Sequence, residues 1–177
     1  MGDPKKIRKS YITPSHPWQR ERIAEEKVLI REFGLKNHKE LWMMRTFVKK
    51  ASNEAKKLIP LRTEQAEKER KLLMDRLVSL GLLPKGSILT DILNLEIRHI
   101  LERRLQTIIF RKGLARTISQ ARQMITHGHV SVADRVVTAP SYLVKVSEEK
   151  SISFSVKSPF ISEFHPERAQ KGGVTNG

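Results

Sequence analysis

Residues 101–132 decide what kind of protein this is, and they read LERRLQTIIFRKGLARTISQARQMITHGHVSV. Apolar residues recur at helical spacing through residues 101–109, and Gly113 is a stop signal for that helix. A second, shorter helix is expected to start after Thr117, with Gln at its third position as in a capping box, and to end at Gly128. Beyond that glycine, apolar and polar residues alternate. We therefore predict two helices followed by a β-hairpin.

The same stretch is strongly basic. From Arg103 to Arg135 the chain has seven lysine or arginine residues and a single acid, Asp134. Arg122 and its polar neighbours fall on the face of the second helix opposite to its apolar face. Guanidinium groups bind phosphate oxygens in pairs, and an uncovered helix N-terminus offers backbone N–H groups to phosphate. This pattern predicts a nucleic-acid-binding surface but leaves RNA and DNA open, because two short helices joined by a turn also describe a DNA-reading motif.

Composition supports the same class of partner. The chain has 177 residues, a formal net charge of +15 and no cysteine, which excludes disulfides, thiol nucleophiles and cysteine-bound zinc. Its surface must face something anionic, either nucleic acid or an anionic membrane. No segment has the roughly 20 apolar residues of a membrane span, and the start of the chain does not look like a signal peptide. We therefore expect a cytoplasmic protein.

The first part of the chain is predicted to be a basic arm followed by helices. Residues 1–17 lack apolar periodicity and are expected to be extended, ordering only against a partner. Helices are expected over residues 18–33, from Asn37 and over residues 63–80, and a new helix start is expected at Thr90 and the residue after it. On the second of these helices, lysines and an arginine lie away from the apolar stripe, and the pattern leaves a solvated face and a phosphate-binding face equally open.

After the hairpin, two further strands are predicted over residues 142–146 and 151–156, and the chain from Ser158 is expected to be loose. The predicted fold class is therefore α+β, with a mostly helical N-terminal region and a compact module of two helices on a small sheet. The predicted division is an arm (1–17), a helical region that is expected to bind nucleic acid (18–100), a module with its following strands (101–165) and a flexible tail (166–177).

Short motifs in the second half carry a resemblance to a known family. They are LERRL at 101–105, RKGLART at 111–117, QARQMI at 120–125, GHVSV at 128–132 and PSYLV at 140–144. The spacing of these motifs is unbroken from the first to the last, and it resembles that of the S-four RNA-binding domain. The hairpin turn departs from many such domains, because Ala and Asp stand where Asn-Gly is common.

The first half narrows the resemblance. KSYITP at 9–14, EFGLKN at 32–37 and LGLL at 80–83 are together similar to the S-four family of small-subunit ribosomal proteins, in its archaeal and eukaryotic branch. The resemblance implies a structural protein that binds small-subunit rRNA early in assembly. It also implies a place near the mRNA entrance beside the S-five protein, and a contribution to translational accuracy.

The charge pattern and the resemblance together predict which residues contact RNA. In the module they are Arg103, Arg104, Arg111, Lys112, Arg116, Thr117, Ser119, Gln120, Arg122, Gln123, His127, His129 and Arg135. Phosphate contacts in the first third are Lys5, Lys6, Arg8, Lys9, Arg45, Lys49 and Lys56. No metal or cofactor is expected, and the cysteine cluster of many bacterial members is missing from this chain.

Three other functions fit the sequence less well. An enzyme is disfavoured because His127 and His129 lack further zinc ligands nearby, and no Gly-x-Ser-x-Gly turn or glycine-rich phosphate loop is present. A free-standing RNA chaperone would need only the module, whereas the basic arm and helices favour burial in a large rRNA assembly. A membrane-surface role is the weakest, because no helix combines a basic face with an exposed aromatic one.

Overall fold

The fold is that of a computed structural model, described over residues 9–162 and 165–166. It confirms the α+β class, with helices dominating and one small sheet. The α-helices of the described part are α1 (Arg20–Glu32), α2 (His38–Leu58), α3 (Glu64–Ser79), α4 (Ile97–Glu102), α5 (Leu105–Arg111), α6 (Ile118–Thr126) and α7 (Val146–Glu149). Short 3₁₀ helices cover Leu89–Asn94 and Pro159–Ile161, and the strands are β1 (Val130–Val132), β2 (Arg135–Val136) and β3 (Ile152–Phe154).

Helix starts follow the side-chain caps that the sequence predicts. The Asn37 side chain accepts a hydrogen bond from the Glu40 backbone N–H at 3.2 Å, and α2 starts at the next residue. Thr63 caps α3 in the same way. Thr117 accepts from the Gln120 backbone N–H at 3.1 Å and opens α6. These caps satisfy backbone donors that a helix end leaves without partners.

The sheet is antiparallel, with the strand order β2-β1-β3. The predicted hairpin is confirmed, since Val132 lies opposite Arg135. Its two central residues, Ala133 and Asp134, have φ angles of 48° and 63°. Two consecutive left-handed residues are the geometry of a two-residue hairpin turn, a conformation that Asn-Gly favours in general. On the other edge of β1, Val132 lies opposite Ile152.

Three sequence-based predictions about local structure are wrong. Residues 142–146 do not join the three-stranded sheet, because their backbone pairs with residues 103–105. The Tyr142 carbonyl accepts from Leu105 N–H at 2.8 Å, beside an isolated bridge of Leu143 with Arg104. The helix expected at Thr90 is a 3₁₀ helix. The segment from Ser158 is not loose through residue 162, because Phe160 packs against the core of the module.

Three clusters of buried side chains make up the core. One fills the module and includes Leu105, Ile109 and Ile125. A second lies between α2, α3 and the first 3₁₀ helix, and a third joins the α1–α2 turn to α4. Leu101 belongs to the third cluster, so the helices before residue 100 and the start of the module share apolar packing. The division into domains stays a prediction.

The described end of the arm lies against α2. Ile12 donates its backbone N–H to Thr46 Oγ1 at 3.0 Å, and the Tyr11 ring lies 6.0 Å from the ring of Trp42. Residues 1–8 and 167–177 lie outside the described residues, and with them the predicted contacts of Lys5, Lys6 and Arg8.

A single carboxylate joins α2 to the module. Glu40 accepts from Arg104 Nη2 at 2.8 Å and from both terminal nitrogens of Arg122, the shorter at 2.6 Å. Arg104 precedes α5 and is 1% exposed, while Arg122 lies on α6. We call Glu40, Arg104 and Arg122 the Glu40 junction. It fixes the N-terminal end of α2 against both helices of the module.

The junction depends on its charge. Burial alone would raise the pKa of the Glu40 carboxyl, but hydrogen bonding to Arg122 and the charges of Arg104 and Arg122 outweigh it, so the pKa lies below its ordinary value of 4.5. Burial lowers the pKa of Arg104, and Glu40 opposes that shift. Nε and Nη1 of Arg104 are buried without a hydrogen-bond partner in the described part of the chain. Glu40 therefore compensates a buried charge that little else offsets.

A second buried carboxylate organises the turn between α1 and α2. Glu26 is 1% exposed and bonds Arg22 at 2.7 Å, His38 at 2.9 Å and Arg45 at 3.1 Å. Burial raises the pKa of this carboxyl, but hydrogen bonds from Arg22, His38 and Trp42 overcome that effect and hold it below its ordinary value. Glu26 therefore ties α1 to α2.

A glycine lets the module approach the α1–α2 turn. Gly34 has a φ of +56°, and a Cβ placed there would lie 2.2 Å from Cγ2 of Ile118. The buried Gln106 side chain donates to the Gly34 carbonyl at 3.1 Å and to the Ile118 carbonyl at the same distance. The turn, α5 and α6 therefore meet at one point where no side chain fits.

Replacing Glu40 tests the junction. Glu40→Gln should lower the free energy of unfolding by about 3 kcal/mol, since removing one partner leaves buried charge uncompensated. Because the folded-state pKa of Glu40 is depressed, its stabilisation is complete above pH 4.5 and is lost as pH falls through the folded value. Urea denaturation at neutral and acid pH measures both effects, and the difference between wild type and variant should shrink in acid.

A matched control is Glu64→Gln. It breaks an ion pair with Lys68 in which the two side chains are 82% and 65% exposed, and it should change stability by less than about 0.5 kcal/mol. Equal destabilisation by the two variants at neutral pH would contradict a structural role for the junction.

Gly34→Ala should destabilise the protein by about 3 kcal/mol, because left-handed strain and a clash with Ile118 add together. Gly113→Ala is the control, since Gly113 has a φ of +69° with no atom within 4 Å of an added Cβ. Gly113→Ala introduces the left-handed backbone strain without a clash, and it should lower the free energy of unfolding by about 1 kcal/mol. Thermal denaturation of both variants measures the difference, and indistinguishable melting temperatures would refute the close approach.

Candidate nucleic-acid interface

Helix α6 has one buried face and one exposed face. Ala121, Met124 and Ile125 are buried in the core of the module. On the opposite side Ser119, Gln123 and Thr126 are exposed. This separation follows directly from the helical period of the sequence, and it leaves hydrogen-bonding side chains facing solvent.

The loop before α6 adds charge to that face. Arg116 is exposed next to the Thr117 cap, and its backbone N–H donates to Gln120 Oε1 at 2.6 Å. Its guanidinium donates to the Pro166 carbonyl, and Lys112 donates to the Glu149 carbonyl. These partners are neutral main-chain oxygens, which do not themselves cancel the positive charge of either side chain.

The exposed residues that the sequence nominated form a run along the chain. They lie at the C-terminal end of α5, in the loop to α6, on the exposed face of α6 and in the hairpin. We call them, apart from His127, the exposed module face: Arg111, Lys112, Arg116, Thr117, Ser119, Gln123 and Arg135. Within it, Arg111 pairs with Glu102 at 3.0 Å, but both side chains are about half exposed, so water screens the pair.

Three of the arginines that were predicted to contact RNA instead form ion pairs within the protein. Arg104 is buried and, with the partly buried Arg122, belongs to the Glu40 junction. Arg103 bonds Glu149 at 2.8 Å and donates to the Val144 carbonyl at 3.0 Å. Arg104 is therefore not part of the exposed surface, and the other two arginines reach it only in part.

The phosphate contacts predicted before residue 60 also fall into an exposed group and a partly buried one. Lys9, Lys49 and Lys56 are exposed. Arg45 is partly buried and bonds the Glu26 carboxylate. The described lysines thus remain available to phosphate, whereas Arg45 already has an acidic partner.

The two module histidines lie together without forming a metal site. The rings of His127 and His129 are 6.2 Å apart and nearly parallel, at 12°. Among residues 9–162 and 165–166, no three side chains of His, Cys, Asp or Glu are grouped so that they could hold a metal ion. The same part of the chain contains no helix that combines the length and apolar character required to cross a bilayer.

The sequence analysis missed the acidic partners and Gln106. Glu40 and Glu26 resemble ordinary helix-surface acids, and nothing local marks Glu26 as buried or Glu40 as the partner of a buried arginine. Arg104 did carry a signal, because it lies three residues after Leu101 and one before Leu105, on the apolar stripe. A charged residue at such a position predicts a buried ion pair.

Comparisons with known proteins agree with this architecture. The model of the S4 domain family matches residues 103–150. A curated relative from Hyperthermus butylicus, small ribosomal subunit protein uS4, is 46% identical over 97% of this chain and 97% of its own length. Proteins of the same name from Methanococcus aeolicus and Ignicoccus hospitalis are 49% and 44% identical, over 95% and 92% of this chain and 96% and 98% of their own lengths. The resemblance read from the sequence is thereby confirmed, and this chain belongs to the uS4 family of small ribosomal subunit proteins.

Proposed function

We propose that this chain is a structural constituent of the small ribosomal subunit in the cytoplasm, where it binds small-subunit rRNA without catalysing a reaction. The observation that carries the proposal is the exposed module face, whose cations and polar side chains lie beside the capped start of α6. Such a surface binds phosphates and recognises the shape of folded RNA. Family membership supports the small subunit as its location.

The proposed contacts fall into two roles. Residues of the exposed module face, together with Lys9, Lys49 and Lys56, bind RNA phosphates. Arg104 and Arg122 position the module through Glu40, so their loss would act on RNA binding through structure.

The finer placement rests on the resemblance. We propose contact with neighbouring small-subunit proteins, among them the S-five protein, near the mRNA entrance, with a contribution to accuracy. We also propose that the division at residues 17, 100 and 165 separates arm, helical region, module and tail.

Sedimentation of cell lysate on sucrose gradients tests the proposed location. The protein should travel with small subunits and whole ribosomes at low salt, and it should stay there after a high-salt wash. Recovery mostly at the top of the gradient, or release at modest salt, would favour a transient RNA chaperone instead.

Single substitutions test the exposed module face. Lys112→Ala or Arg116→Ala should weaken binding of the full chain to a small-subunit rRNA transcript about fivefold to tenfold and reduce the salt slope by about one, as expected for the loss of one phosphate contact. Filter binding across a salt series measures both quantities. Lys85→Ala is the control, because Lys85 is an exposed lysine in a loop outside this face. Equal losses for all three variants would contradict the proposed interface.

A further inference from the structure

A small cavity opens beside the C-terminal half of α6, at the edge of the exposed module face. Its volume is about 300 Å³. Side chains from α6, from the start of β1 and from the second 3₁₀ helix line it: Gln120, Gln123, Met124, His127, His129 and Phe160. Among the described residues, the lining is therefore mainly rings and side-chain amides, without a carboxylate.

The rings in this cavity have a defined arrangement. His127 and His129 are parallel within 12°, and Phe160 lies 5.1 Å from His129 at a steep angle of 72°. A flat ligand lying parallel to the imidazoles would therefore meet the Phe160 ring as a side wall. Stacking on rings of this kind is how proteins hold unpaired RNA bases.

The cavity is held in place before any ligand arrives. Ser158 is buried, and its hydroxyl lies 3.2 Å from Nδ1 of His129. The same hydroxyl accepts from the Phe160 backbone N–H at 3.3 Å, and the Phe160 ring also stacks on Phe154 at 6.0 Å. Because these contacts fix two of the rings, stacking there costs little conformational entropy.

Gln123 provides a group that can read a base edge. Its side chain is exposed and has no hydrogen-bond partner within the described part of the chain. A glutamine amide donates and accepts at once, which matches the adjacent donor and acceptor of adenine. The amide lies in the same cavity as the rings, so stacking and edge recognition are available together.

The electrostatics of the cavity favour a base over a phosphate. His127 is the C-cap of α6, and the C-terminal end of a helix carries partial negative charge. The arginines and the lysine of the exposed module face lie outside the cavity lining. Phosphate is therefore favoured at the start of α6 and a neutral ring near its end.

We propose that this cavity takes one unpaired purine base, best matched by adenine, from the rRNA that the module binds. The proposal rests on the proposed function, since the base belongs to that rRNA. The exposed module face holds the backbone, and the cavity fixes the position of the RNA by capturing one unstacked base.

Substitutions of His127 separate stacking from charge. His127 is exposed and has ordinary backbone angles, so its variants should fold. With the full chain and a small-subunit rRNA transcript, His127→Ala should weaken binding about tenfold, as expected for a lost stacking contact, without changing the salt slope. His127→Phe should restore affinity and His127→Lys should not. His99→Ala, an exposed histidine outside the cavity, is the control and should bind like wild type.

Probing of the RNA with diethyl pyrocarbonate, which modifies adenine N7, gives a second readout. One adenine N7 should be protected by the wild-type protein and become reactive with His127→Ala or Gln123→Ala. Rescue by Lys and not by Phe, a reduced salt slope for His127→Ala, or affinity and protection unchanged in both alanine variants would overturn the base site. If the wild-type protein fails to bind the transcript, the proposed function itself fails.

Discussion

The carboxylate of Glu40 is the contact on which the position of the RNA-binding module depends. It lies at the start of α2 and meets one arginine before α5 and another on α6. Arg104 is almost fully buried and leaves two nitrogens without hydrogen-bond partners in the described residues. Such a charge is costly unless it is paired. The chain therefore keeps its two halves in one arrangement, and an apolar contact alone would specify that arrangement less sharply.

Packing around Gly34 also holds the module against the N-terminal helices. The α1–α2 turn approaches Ile118 more closely than any side chain would allow, and Gln106 bridges the two main chains. The ion pairs of the Glu40 junction and the close approach at Gly34 both involve the same elements, α5 and α6. These are the helices that present most of the exposed module face, so the surface proposed to bind RNA is rigidly attached to the N-terminal helices.

The basic residues of this protein have two different roles. Arg104 and Arg122 compensate an internal acid, whereas Lys112 and Arg116 are exposed and donate to main-chain oxygens. In an rRNA-binding protein both uses support binding, since phosphates are held best by cations whose positions are fixed in advance. The cavity near the end of α6 extends the same principle from phosphate to base.

The sequence by itself determined the elements of the module and the class of partner. Period, caps and glycines predict α6 and its capped start, and the alternation after Gly128 predicts the hairpin, because these signals act between residues close in the chain. Only the tertiary structure decided which cations face solvent. Arg104 and Lys112 look alike in a charge count, but burial beside Glu40 depends on a residue 64 positions away. The place of residues 142–146 was also decided there, since their backbone pairs with residues 103–105, a segment distant in sequence.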